Sequence, residues 1–88
     1  MKSSALAEFW DSLKDLPPPA QKIARKNFKL WQQNPALKSL GFKKIKAGLW
    51  SVRAGSGYRA PATFEDDRYL WFWIGSHNDY ERMIRESS

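Results

Sequence analysis

The sequence predicts an α+β fold: an N-terminal antiparallel helix hairpin packed on a four-stranded antiparallel sheet, closed by a short C-terminal helix. Three observations predict it. Apolar residues recur at spacings of three and four as far as Asn34, the spacing changes to two after Gly41, and turn segments at 47–48, 55–57 and 65–67 cut the second part into four runs. With 88 residues and 42% apolar side chains, including five Trp and five Phe, residues 1–88 make one domain with its own core, uninterrupted by linker or repeat.

The first helix runs from Ser4 to Leu16, with Leu6, Phe9, Trp10, Leu13 and Leu16 on one side and Ser3 or Ser4 as cap. Pro17-Pro18-Pro19 stops it, and the last of these prolines opens the second helix, where a missing N–H goes unnoticed. That helix carries Ala20, Ile23, Ala24, Phe28 and Trp31 on one side and ends near Asn34-Pro35. Phe42 to Lys46 reads as the first strand, and Ala47-Gly48 as a turn. Leu49 to Ala54 is the second strand, joined through the tight loop Gly55-Ser56-Gly57 to the third, Tyr58 to Phe64. Pro61 makes part of that third strand irregular or places it at an edge. After the turn Glu65-Asp66-Asp67, Tyr69 to Gly75 is apolar on both faces, the pattern of the most buried strand. His77 to Arg85 has helical character, with Tyr80, Met83 and Ile84 on a common side.

Charge narrows the function. Every acid lies at or before Asp15 or at or after Glu65, and between them stand Lys22, Arg25, Lys26, Lys29, Lys38, Lys43, Lys44, Lys46, Arg53 and Arg59. Ten cations with no acid among them attract a polyanion, most simply the phosphates of a nucleic acid; a solubilising surface is the alternative, although such surfaces mix signs. The absence of cysteine removes disulfides, thiolate metal sites and cysteine nucleophiles. Glu8 and Asp11 come too early for a signal peptide, and no apolar run has the length of a membrane helix, so the expected location is the cytoplasm, with no membrane partner. No His/Cys cluster, metal-spaced carboxylate pair or phosphate-binding glycine loop occurs, so neither metal nor cofactor is expected.

Three residues in the 55–57 loop set Arg53 directly opposite Arg59. Like charges so placed cost a few tenths to about 1 kcal/mol, which a phosphate bound between the two guanidinium forks offsets. The other possibility is that one arginine caps a helix or pairs with Asp79 or Glu81. Ser51, Thr63 and Leu49 share the arginine face, while Trp50, Val52, Tyr58, Ala60, Ala62 and Phe64 point toward the helices, leaving a basic platform on the open side. Lys22, Arg25, Lys26 and Lys29 line the second helix as either an RNA-tracking stripe or a solvated face, and Lys43, Lys44 and Lys46 crowd the first strand, with Lys44 and Lys46 on one side. His77 is the one histidine, a proton shuttle or a structural residue, and Tyr80 lies a turn beyond it, placed to stack a base or hold His77. Such a set suits RNA, whose 2′-hydroxyl attacks the adjacent phosphate without a metal.

The run Leu49-Trp50-Ser51-Val52-Arg53-Ala54-Gly55-Ser56-Gly57-Tyr58-Arg59-Ala60, followed by Trp71-Phe72-Trp73-Ile74-Gly75-Ser76-His77, resembles the RelE/ParE superfamily of bacterial toxins. The resemblance extends from the helix pair through Asn34-Pro35 and Phe42-Lys43-Lys44-Ile45 to Tyr80-Glu81. It implies a type II toxin, neutralised by a cognate antitoxin, that cleaves messenger RNA on the ribosome without metal if RelE-like, or inhibits DNA gyrase if ParE-like. A non-catalytic RNA- or antitoxin-binding member of the fold is a third possibility. By similarity Arg59 contacts the scissile phosphate, Arg53 falls on a basic position, His77 matches an acid or base of some members, and Tyr80 matches a C-terminal aromatic. Two departures follow. The strand that many relatives place before the first helix is missing, and Ser51 stands where RelE itself has a catalytic lysine, a role left to Lys44 or Lys46, or to none.

Overall fold

A computed structural model describes residues 2–86. Its elements are β1 (Ser3–Ala5), α1 (Ala7–Lys14), α2 (Pro18–Gln33), a 3-10 turn (Lys38–Leu40), β2 (Lys43–Lys46), β3 (Leu49–Arg53), β4 (Tyr58–Glu65), β5 (Arg68–Trp71), β6 (Gly75–Ser76) and α3 (His77–Glu86). The class is α+β as expected, but the sheet is larger than the four strands predicted. Its order is β1-β5-β4-β3-β2, with β6 paired to β4 beyond the end of β5.

The helices do not come first. Ser3, Ser4 and Ala5 pair in parallel with Tyr69, Leu70 and Trp71, and the Leu6 N–H donates to the Trp71 carbonyl at 2.9 Å. Ser3 and Ser4 therefore cap nothing, and α1 begins at Ala7 after Leu6, which makes no side-chain cap bond. Ser4 instead accepts a hydrogen bond from Arg68 Nη1 at 2.9 Å. Three residues are too few to show a period of two, so the strand was invisible in the sequence and is fixed by the edge of β5. The second helix starts with Pro18 and Pro19 in its first turn and ends at Gln33 before Asn34, close to its expected limits.

Pro61 lies in the middle of the central strand, not at an edge. The Phe64 N–H bonds to the Gly48 carbonyl and the Ala54 N–H to the Tyr58 carbonyl, so β4 exchanges hydrogen bonds with β3 at even-numbered residues. Position 61 thus directs its missing N–H away from β3, toward the side where the neighbouring strand is broken. There Ala62 pairs with Trp71 and Arg59 with Gly75, leaving 72–74 outside the ladder. The predicted Tyr69–Gly75 strand is accordingly two short strands, and the longest buried run lies instead in β4, where Arg59, Ala60, Pro61 and Ala62 are all buried.

On one face of the sheet Val52, Ala60, Ala62, Tyr69 and Trp71 form the core with Phe9 and Leu13 of α1 and Ala24 and Trp31 of α2. Phe64, expected inside, is 38% exposed against Tyr69 near the end of β4. The opposite face is not an open platform. There α3 covers it, with Tyr80 buried and with Met83 and Ile84 beside Leu49, Thr63 and Phe72, so that Leu49 and Ser51 are buried as well.

Ser12 ties α1 to the break between β5 and β6. Its hydroxyl donates to the Phe9 carbonyl at 2.9 Å and accepts the N–H of buried Ile74 at 3.0 Å. Ser12→Ala leaves that N–H unpaired and is expected to lower stability by about 1–3 kcal/mol. Urea unfolding followed by circular dichroism measures the loss, and an unchanged midpoint would show that the clamp is dispensable.

Candidate functional site

The hairpin between β3 and β4 carries the site. Gly55 takes φ 76°, in the left-handed region a glycine adopts without strain, and the observed register sets Arg53 opposite Arg59 as expected. By the same alternation this pair exchanges no backbone hydrogen bonds, the type that brings side chains closest. Asn27 of α2 holds the hairpin from behind, its Nδ2 donating to the Arg53 carbonyl at 3.2 Å.

The two arginines differ in setting. Arg53 is exposed, and its stem passes over Gly41, where an added Cβ would lie 3.8 Å from Arg53 Cβ, Nε and Cζ. Arg59 is only 9% exposed; its Nη1 donates to Ser51 Oγ at 3.2 Å, and its guanidinium lies 5.6 Å from the centre of the Tyr80 ring. Tyr80 is buried, with no face free for a base, and it supports Arg59 by cation–π contact. Asp79 pairs with Arg82 at 3.8 Å and Glu81 with His77 at 3.4 Å, so among the described residues no carboxylate pairs with Arg53 or Arg59.

His77 opens α3. Its N–H donates to the Gly57 carbonyl at 2.9 Å, which locks the start of the helix to the hairpin, and Ser76 Oγ caps the helix by accepting the Asp79 N–H at 3.1 Å. The His77 side chain is 53% exposed, with its ring 6.4 Å from that of Tyr80. Arg53, Ser56, Tyr58, Arg59 and His77 together line an open cavity of about 280 Å³. Two guanidinium groups and an imidazole thus line one space, where the guanidinium forks match the charge and geometry of a phosphate and the imidazole is a group able to give or take a proton. Ser56 was not singled out in the sequence as a member of this constellation, its small, glycine-flanked position being the available signal; Ser51 was placed on the arginine face, but not as the hydrogen-bond acceptor of Arg59.

The lysines do not join them. Ile45 forms a β-bulge, since Lys44 pairs with Trp50 but Lys46 with Leu49, so Lys44 and Lys46 lie on opposite faces and not on one. Lys43 is the lysine directly across from Ser51. On α2, Lys22, Arg25, Lys26 and Lys29 line a shallow depression with Leu30 and Gln33. None of these four cations lines the arginine cavity.

The fold has solved counterparts. A chain of the RelB–RelE antitoxin–toxin complex from Methanococcus jannaschii aligns with a TM-score of 0.68 at 20% identity, over 90% of this chain and 95% of that one. This chain has the RelE toxin fold. The YoeB/ParE toxin from Agrobacterium tumefaciens matches at 0.66 and 16% identity, over 88% of this chain and 99% of that one. The isolated RelE toxin of E. coli matches at 0.62 and 12% identity, over 99% and 98%. No family model and no curated protein sequence matches this RelE-fold chain. Among the described residues no helix is long and apolar enough to cross a membrane, and no three His, Cys, Asp or Glu side chains gather where they could share a metal ion.

Proposed function

We propose that this RelE-fold chain is the toxin of a toxin–antitoxin pair, acting in the cytoplasm as an endoribonuclease on ribosome-bound messenger RNA. The observation that carries it is the cavity in which Arg53, Arg59 and His77 meet with no carboxylate pairing either arginine among the described residues. In the reaction the ribose 2′-oxygen bonds to phosphorus while the bond to the 5′-oxygen breaks. The products are a 2′,3′-cyclic phosphate and a 5′-hydroxyl. One proton leaves the 2′-oxygen and one arrives at the 5′-oxygen; His77 transfers one of them and water the other. Arg59, held by Ser51 and Tyr80, and the freer Arg53 stabilise the charge that builds on the phosphoryl oxygens. Tyr80 acts as a positioning residue for Arg59.

Induced expression is expected to stop growth with cleaved transcripts, seen as new ends in primer extension on messenger RNA. His77→Gln is expected to slow cleavage by about 10²–10⁴-fold, the usual worth of a positioned acid or base, while RNA binding persists. An unchanged cleavage rate in that variant removes His77 from the chemistry. A second reading, a binding member without catalysis, is favoured by Ser51 in place of the lysine and by the burial of Arg59. It predicts salt-sensitive RNA binding beside intact transcripts. DNA damage with intact transcripts would point instead to gyrase as the target.

A further inference from the structure

The arginine cavity suits a phosphate, but its own surroundings offer no ring on which a base can lie: Tyr80 is buried, and Tyr58 packs against the core. The break after β5 supplies one. Between the pairs Ala62–Trp71 and Arg59–Gly75, three steps along β4 are matched by four along its partner, so one residue is extra. Phe72 lies beside Leu49, Thr63, Met83 and Ile84 on the α3 face, and Ile74 is buried in the core on the other. Trp73 is the residue between them, and its ring lies over Gly75, where a methyl group would collide with Cη2 and Cζ2 of the indole. Gly75 stands directly opposite Arg59, and residues so paired present the same face of a sheet. The bulge therefore carries the Trp73 ring to the arginine face, one strand spacing of about 4.8 Å beyond Arg59. The side chain is half-buried, and among the described residues no aromatic or cationic group stacks on it.

We propose that Trp73 is a nucleobase subsite, the ring on which the base next to the phosphate held by Arg53 and Arg59 stacks; the inference rests on the RNA reading given above. The row across the face is Arg53, Arg59 and then the indole, so one nucleotide lies along it with its phosphate at one end and its base at the other. Every base has a π face, so the ring fixes the position of a nucleotide without choosing its identity. Holding a nucleotide at both ends immobilises the ribose between them, and with it the 2′-oxygen that attacks. Gly75 is part of the subsite because a larger residue there displaces the ring.

The full-length chain, labelled with ¹⁵N, is titrated with adenosine 5′-monophosphate and with ribose 5-phosphate, which keeps the phosphate and lacks the base. Both should shift the signals of Arg53 and Arg59. The nucleotide alone should shift the Trp73 indole N–H, assigned by its loss in Trp73→Phe, and should bind about tenfold more tightly, the worth of one stacked base. Trp73→Ala should bring the ratio of the two affinities close to one while ribose 5-phosphate binds as before, and Trp73→Phe should keep part of the difference. Gly75→Ala, which retains the indole but pushes it from its seat, should also lower the ratio. Circular dichroism confirms that the variants are folded. An unmoved indole, a ratio near one in the unaltered chain, or a ratio indifferent to both Trp73→Ala and Gly75→Ala overturns the proposal. So does an equal fall in both affinities, which would make Trp73 a support of the fold, or binding of both ligands away from Arg53 and Arg59. Base-dependent binding on Trp73 by a chain that neither arrests growth nor cleaves RNA keeps the subsite and removes the ribonuclease function.

Discussion

Trp31→Ala is expected to cost about 3–5 kcal/mol and to leave the chain without a cooperative unfolding transition at physiological temperature. Trp31 is fully buried, and its ring meets four others: Phe28 stacked at 6.1 Å, and Phe42, Tyr69 and Trp71 edge-on at 5.4, 5.4 and 5.0 Å. Those partners come from α2, from the approach to β2 and from β5, so one side chain joins the helix layer to the sheet. A chain of 88 residues has a total stability of roughly 4–13 kcal/mol. Removing the ring therefore consumes about a quarter of that stability at the least. Trp31→Phe should cost far less, because Nε1 has no hydrogen-bond partner to lose among the described residues. Urea titrations by circular dichroism and tryptophan fluorescence check both variants, and equal costs for Ala and Phe would mean that the aromatic contacts are not what the side chain contributes.

Much of this architecture was written locally. The second helix has sixteen residues of clear periodicity bounded by proline at both ends, and the 55–57 loop fixes its register by length alone, which is why the Arg53–Arg59 pairing could be read from the sequence. What was not legible depends on partners distant in sequence. A three-residue strand has no period, and β1 exists because β5 offers a free edge whose pairing residues lie 66 positions along the chain. Pro61 signals an edge in isolation; it is tolerated at the centre because 72–74 leave the ladder opposite its missing N–H. The bulge at Ile45 flips one lysine, and nothing in Lys43-Lys44-Ile45-Lys46 announces it. In the site itself, the sequence gathered Arg53, Arg59, His77 and Tyr80, but the burial of Tyr80 and Arg59 follows from α3 folding back over the sheet, a tertiary event with no local signal.

Arg59→Ala is expected to reduce RNA cleavage by about 10²–10³-fold, the worth of a preorganised donor to developing charge, and to abolish growth arrest on induction. The argument rests on preorganisation. Arg59 is held by the Ser51 hydroxyl and the Tyr80 ring before any ligand arrives, whereas exposed Arg53 must give up side-chain freedom to reach a phosphate. Arg53→Ala should accordingly weaken binding more than it slows the bound step, and Arg59→Ala the reverse. Arg59→Lys does not restore the rate, since a single ammonium lacks the planar fork that can bond Ser51 and still present N–H groups to phosphate oxygens. Ser51→Ala, which removes one restraint and leaves the guanidinium, should give an intermediate loss. Ser51→Lys should be worse than Ser51→Ala: a lysine there sets a third cation in the cluster and replaces the acceptor of Arg59 with a donor. Single-turnover cleavage of a ribosome-bound message separates binding from the bound step, and near-ultraviolet circular dichroism confirms that each variant keeps its packed aromatic core. Wild-type arrest by a folded Arg59→Ala chain would show that the phosphate is not held between these two strands. A loss in Ser51→Lys no greater than in Ser51→Ala would show that the serine is a spacer rather than the group that holds Arg59 in place.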